Sequence, residues 1–140
     1  MRNSSEQLKT IINQDSQYHT QTKITSEELA RKIAEAADDK KAANIVLLKV
    51  ADVSYLADYF VIVTGFSITQ LKAIANSIEE KIATELKKEP FRVSGKQEGG
   101  WIVQDYGDVI VHIFLPEERE YYNLEAFWGH AERIEFLNPS

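Results

Sequence analysis

The chain has 140 residues, 44% of them hydrophobic and 27% charged, which is enough for one domain built around a single core. It contains no cysteine, so a disulfide framework, a thiolate metal site and a cysteine nucleophile are excluded, and its longest apolar run, Tyr59–Val63, is too short to span a bilayer. Almost all of the net charge of −6 sits in residues 96–140, where Lys96, Arg119 and Arg133 face nine carboxylates. That sign is opposite to the basic face with which nucleic-acid binders meet phosphate. It suits a basic partner, and equally a solvated surface that aids solubility.

Residues 1–25 are polar and carry a net charge of about +1, which predicts a disordered tail with at most a short helix. They lack the apolar core of a secretory signal, so the expected location is the cytoplasm. An organellar transit peptide would be rich in arginine, and only Arg2 precedes residue 31. Thr25 and Glu28 then form a capping box, and Leu29, Ile33 and Ala37 recur at helical spacing, so a helix is predicted from about residue 26 to Asp38. Ile45–Val50 reads as a strand, Ala51–Ala57 as a connection and Asp58–Thr64 as a second strand. The second is apolar throughout Tyr59–Val63, which predicts burial on both faces and a central place in the sheet.

Gly65 breaks that strand. Ser67 and Gln70 suggest another capping box, and Ile68, Leu71, Ala75, Ile78, Ile82 and Leu86 form the stripe of a long helix ending before Pro90. Phe91–Ser94 can be a short strand. Trp101–Asp105 and Asp108–Leu115 alternate as a hairpin around Tyr106-Gly107, where Gly107 can take the positive φ of a tight turn. Glu117–Tyr122 and Leu124–Trp128 look like short helical segments, and residues 131–140 are expected to trail off as a tail. The order α-β-β-α-β-β-β-α indicates a mixed sheet with packed helices.

Three kinds of chemistry can be weighed on these residues. For nucleophilic catalysis the histidines are scattered: His19 lies in the polar tail, His130 near the C-terminus, and only His112 on a strand, where a structural role is the simpler account. For a metal, Asp108 and His112 share a strand face but stand about 13 Å apart at the rise of a strand. For phosphate, Thr64-Gly65-Phe66-Ser67 joins a buried strand to a helix N-terminus, the turn that nucleotidyltransferases also use. Those enzymes add two acids one residue apart to hold Mg²⁺, and no strand here carries D-x-[DE]. No catalytic residue, metal ligand or cofactor site is therefore assigned.

Aromatic residues remain, with Trp101, Tyr106, Tyr121, Tyr122, Phe127 and Trp128 crowded into the acidic third. A side chain beside a hairpin glycine usually faces solvent, so Tyr106 and the strand-opening Trp101 read equally as interface anchors or as core, whereas Phe127 reads as core. With Asp105, Gly107 and Asp108 they make the candidate partner-binding set.

Two stretches carry a resemblance. Asp58–Gly65 with Ser67 and Gln70, and Gly100–Phe114 continuing through Pro116, Glu117, Arg119, Tyr122, Leu124, Glu125 and Trp128, resemble the signatures of the ribosomal silencing factor (RsfS, or Iojap) family. The resemblance covers roughly residues 26–130. It implies a two-layer α/β fold, nucleotidyltransferase-like but without the catalytic carboxylates. It implies binding to ribosomal protein L14 of the large ribosomal subunit, a block on joining to the small subunit, and repression of translation when nutrients are scarce. It further implies a homodimer, no membrane, no sequence-specific nucleic-acid binding and no enzymatic turnover. Plant and mitochondrial relatives make an organelle stroma or matrix a second expected location. The alternative function is a degenerate nucleotidyltransferase or nucleotide binder using Gly65 and Ser67.

Overall fold

The computed structural model describes residues 23–95 and 99–137, so the expected disordered tail lies almost wholly outside the described residues. The chain begins with helix α1 (Ser26–Asp39), followed by strands β1 (Ala43–Lys49) and β2 (Tyr59–Thr64) and the long helix α2 (Ile68–Leu86). Strands β3 (Arg92–Ser94), β4 (Trp101–Asp105) and β5 (Val109–Phe114) come next, then short helices α3 (Pro116–Tyr122) and α4 (Leu124–Phe127) and a last strand β6 (Glu132–Glu135).

The six strands form one mixed sheet in the order β3-β4-β5-β2-β1-β6. Only β2 and β5 are parallel, with Tyr59 opposite Val109 and Thr64 opposite Phe114; every other pair is antiparallel. The unbroken apolar run of β2 is explained by this position, since all six of its residues are buried between β1 and β5 and under side chains on both faces.

Helices α1 and α2 cover one face. Leu29 and Ile33 of α1 and Leu71, Ile74, Ile78 and Ile82 of α2 pack on Leu47, Val61, Val63, Val111 and Ile113 in the main core. Both ends of the Thr25–Glu28 capping box form: Glu28 N–H donates to Thr25 Oγ1 at 3.0 Å, and Thr25 N–H to Glu28 Oε1 at 2.9 Å. The second expected box forms only half. Gln70 N–H donates to Ser67 Oγ, but the Gln70 side chain accepts from Phe66 N–H and donates to the carbonyls of Lys40 and Lys41, tying the start of α2 to the end of α1.

The other face of the sheet is covered differently. Val46, Leu48, Phe60, Ile62 and Phe114 form a smaller core beneath the segment 116–131. The expected C-terminal tail is corrected here. β6 pairs with β1 with Val46 opposite Glu135 and Lys49 opposite Glu132, and Ile134 and Phe136 pack into the main core. The segment 116–136 thus crosses the second face as a strap and is fastened at its end by a sheet ladder.

Candidate partner-binding surface

The five residues proposed as a binding set do not stay together. Asp105, Gly107 and Asp108 form the tip of the β4–β5 hairpin. Asp105 Oδ1 accepts from Gly107 N–H at 2.8 Å, Gly107 sits at φ +88°, and Tyr106 N–H donates to Val109 O at 2.9 Å. The Asp108 carbonyl accepts from Asp58 and Tyr59 N–H at 2.8 and 3.1 Å, which fastens the tip to β2. Of these carboxylates Asp108 is exposed and Asp105 is half-buried.

Tyr106 departs from expectation. It turns inward and is only 6% exposed, because Asp105 and Gly107 close the turn without it and its ring faces the α2 side of the sheet. Burial, with the negative charges of Glu79 and Glu89, pushes its phenol well above the ordinary tyrosine range. Its hydroxyl meets no protein partner. Tyr106 is a core residue and cannot touch a partner as the chain stands. Beside it Gln104 is fully buried and donates to Ala75 O at 3.0 Å and Glu79 Oε2 at 3.1 Å.

Trp101 lies at the far end of β4, on the strap side of the sheet. There it belongs to a chain of ring contacts. Tyr121 meets Tyr122 at 5.0 Å, Tyr122 meets Trp101 at 4.5 Å, and Trp101 stacks on Phe114 at 4.9 Å. His112 links Trp101 to Phe60 at centroid separations of 5.8 and 5.0 Å, and Phe60 meets Trp128, which meets Phe127, at 5.4 and 5.1 Å. The middle of this arc is buried and its ends are open: Phe127, expected in the core, is 75% exposed and Tyr121 82%. Helix α4 is a single turn whose residues are nowhere fully buried, so it cannot hide the Phe127 ring.

His112 fixes the arc from below. Trp101 Nε1–H donates to His112 Nδ1 at 3.1 Å, and burial holds the imidazole pKa down, to about 4. The ring is therefore neutral and carries its proton on Nε2.

The strap is latched by Arg119, which the sequence marks as part of the family signature but gives no structural role. Arg119 Nε and the NH2 nitrogen donate to the two carboxylate oxygens of Glu125 at 2.9 and 3.1 Å, and its NH1 nitrogen donates to Asn44 O at 2.7 Å and Thr64 Oγ1 at 2.8 Å. Arg133 donates to Glu125 Oε2 at 2.6 Å from β6. Hydrogen bonding from Arg119 and then Arg133 holds the Glu125 carboxyl below the ordinary range. Asn44 takes a left-handed φ of +49° at the bulge opening β1.

At the β2–α2 turn Gly65 N–H donates to Phe114 O at 2.9 Å, Phe66 N–H to Gln70 Oε1 at 2.7 Å and Gln70 N–H to Ser67 Oγ at 3.0 Å, so three of the amides a phosphate could draw on already have acceptors. Among the described residues no cluster of His, Asp or Glu could hold a metal ion.

These features define a mixed-sheet α/β protein with two helices on one face and, on the other, a strapped aromatic arc in an acidic setting. The model of the family "Ribosomal silencing factor during starvation" matches residues 23–140. Ribosomal silencing factor RsfS of Halalkalibacterium halodurans is 41% identical over 112 residues, covering 80% of this chain and 95% of that protein. That of Bacillus subtilis is 46% identical over 101 residues, covering 71% and 85%. A crystal structure of a Chromobacterium violaceum protein superposes with a TM-score of 0.72 at 33% identity over 84% of this chain and 92% of that one. The chain belongs to the ribosomal silencing factor (RsfS) family, and so to regulators of translation. The match runs through β6, past the expected end of the domain.

Proposed function

We propose that this protein binds the large ribosomal subunit through ribosomal protein L14 and represses translation by occupying the surface the small subunit must meet. Family membership over residues 23–140 carries the reading. The concentration of negative charge in the last third supports it, because acidic surfaces suit the basic proteins of the ribosome. No strand carries the D-x-[DE] pair with which nucleotidyltransferases hold Mg²⁺, so a binding role without turnover fits the chain better than phosphoryl transfer. The homodimer belongs to the same reading, and light scattering at about twice the 16.0 kDa chain mass checks it.

Steric occupancy has a stoichiometry that catalysis lacks. In sedimentation of purified subunits under joining conditions, titrated protein should raise free subunits at the expense of joined ribosomes and saturate near one copy per large subunit. Washing it away should restore joining, and already joined ribosomes should resist it. Inhibition far below one copy per subunit, or persisting after removal, would show that the protein modifies the ribosome instead.

A further inference from the structure

Three apolar side chains stand out from the loop between β1 and β2. Tyr55 is fully exposed, Leu56 is 67% exposed and Val53 45%. Single exposed apolar residues need no explanation, but three within four residues make a patch, and such patches mark contacts. The loop is also held in shape. Val50 and Ala57 at its two ends are buried in the smaller core, Val53 N–H donates to Val50 O at 3.0 Å, and Leu56 N–H donates to Ser54 Oγ at 2.9 Å. Side chains presented by a fixed backbone lose little entropy when something covers them.

The chain carries a segment suited to cover them. Glu27, in the first turn of α1, meets the Tyr59 hydroxyl at 3.4 Å, and Tyr59 opens β2 just after the loop. The segment before α1 therefore joins the domain at the end of the sheet where the loop lies. Residues 1–22 precede both the described residues and the stretch matched by the family. Their branched aliphatic residues are Leu8, Ile11 and Ile12, spaced to share one face of a short helix. Ile12 stands eleven residues before Lys23, a reach of up to about 36 Å when extended.

Tethering selects the occupant. A contact within one chain works at an effective concentration on the order of millimolar, so a patch too small to hold a free partner is still covered. Charge agrees. Asp52 on the loop, Glu27 and Glu28 at the start of α1, and Asp108 on the hairpin tip bonded to Asp58 are all exposed. Residues 1–12 bring Arg2 and Lys9 against Glu6 alone. The same carboxylates repel an anionic lipid surface, RNA, or the matching loop of a second copy.

We propose that residues 1–22 fold back on their own domain and seat Leu8, Ile11 and Ile12 on Val53, Tyr55 and Leu56. This contact is independent of the function proposed above.

The chain has no cysteine, so Thr10→Cys gives a single attachment point for a spin label in the full-length protein. With the label paramagnetic, the amide signals of Val53 and Tyr55 should lose most of their intensity, while those of Phe66 and Ser67, past the opposite end of β2, keep theirs. Adding Ile11→Asp with Ile12→Asp should restore the loop signals, and so should Leu56→Asp with the N-terminal segment unchanged. Leu56 is exposed and residues 10–12 precede the family domain, so melting temperatures should stay within a few degrees of wild type. No loss at the loop, equal loss at both ends of β2, or a loss that survives either set of substitutions would overturn the proposal. Mixing the spin-labelled chain with an isotope-enriched, unlabelled one identifies the source. Loop signals that stay intact in the mixture support a contact within one chain, and signals lost there would assign the contact to a second copy and overturn the intramolecular reading.

Discussion

Trp101 and His112 lie on adjacent antiparallel strands, and the indole N–H donates to the imidazole Nδ1 at 3.1 Å. The bond requires Nδ1 to be an acceptor, and protonation would turn it into a second donor facing the indole. Burial holds the folded-state pKa to about 4 against an ordinary 6.5. The unfolded chain therefore binds the proton first as pH falls, and stability that is complete above about pH 6.5 is lost down to about pH 4. A shift of that size corresponds to about 3 kcal/mol at full development. Urea midpoints measured between pH 7 and pH 4 should fall along this course. In His112→Phe that component of the slope should vanish, while carboxylate titration remains.

Tyr106 supplies a second test, now of the core. Tyr106→Ala removes a buried ring under α2 and should cost about 3–4 kcal/mol, unfolding the chain well before wild type in urea. Tyr106→Phe should be neutral or slightly stabilising, because the hydroxyl it removes has no protein partner. A Tyr106→Ala chain as stable as wild type would mean that the ring is not in the core in solution.

Most of the fold was legible because its signals are local. The α1 capping box, the α2 stripe and the uninterrupted apolar run of β2 each announce an element from neighbouring residues. Tyr106 was misleading because residues beside a hairpin glycine usually face water, and only the β4 register, which sends Ile102, Gln104 and Tyr106 to the helix side, decides otherwise. β6 does carry a local signal: Arg133-Ile134-Glu135-Phe136 alternates, and its apolar members reach the main core. The Arg119 latch had none, since its acceptors at Asn44 and Thr64 lie 75 and 55 residues away in sequence and meet it only once β1 and β2 pair.

Gly65 is held by space. A Cβ there would lie 2.7 Å from Leu71 Cδ2 and 3.2 Å from Ile74 Cδ1, both on fully buried side chains of α2. Gly65→Ala should force the first turn of α2 off the sheet edge and cost about 1–3 kcal/mol. Adding Leu71→Ala to Gly65→Ala should then lose less than the two single costs combined, because the second change opens room for the first. Strict additivity in that double-mutant cycle would show that the two positions do not compete for the same space.

The Arg119 guanidinium joins the strap to the ends of β1 and β2. Its side chain is 11% exposed and its partner Glu125 20%, so the pair is screened far less than a surface ion pair. Arg119→Met keeps the aliphatic stem but strands three groups: the Thr64 hydroxyl, the Asn44 carbonyl and half of the Glu125 carboxylate, which retains only Arg133. A global loss of about 2 kcal/mol or more is expected. Arg119→Lys should recover little of it, because an ammonium cannot span a carboxylate with two parallel bonds and still reach β1 and β2. The loss should also be local. With the latch gone the strap is held by β6 and the Trp128–Phe60 contact, so the β6 amides that pair with β1 should exchange with solvent much faster while those of β2 are slowed as before. Hydrogen exchange on folded wild-type and Arg119→Met chains measures both strands at once. Uniform acceleration across the sheet would mean that Arg119 stabilises the fold as a whole and that the strap has no separate latch; selective acceleration of β6 would establish the strap as its own cooperative unit.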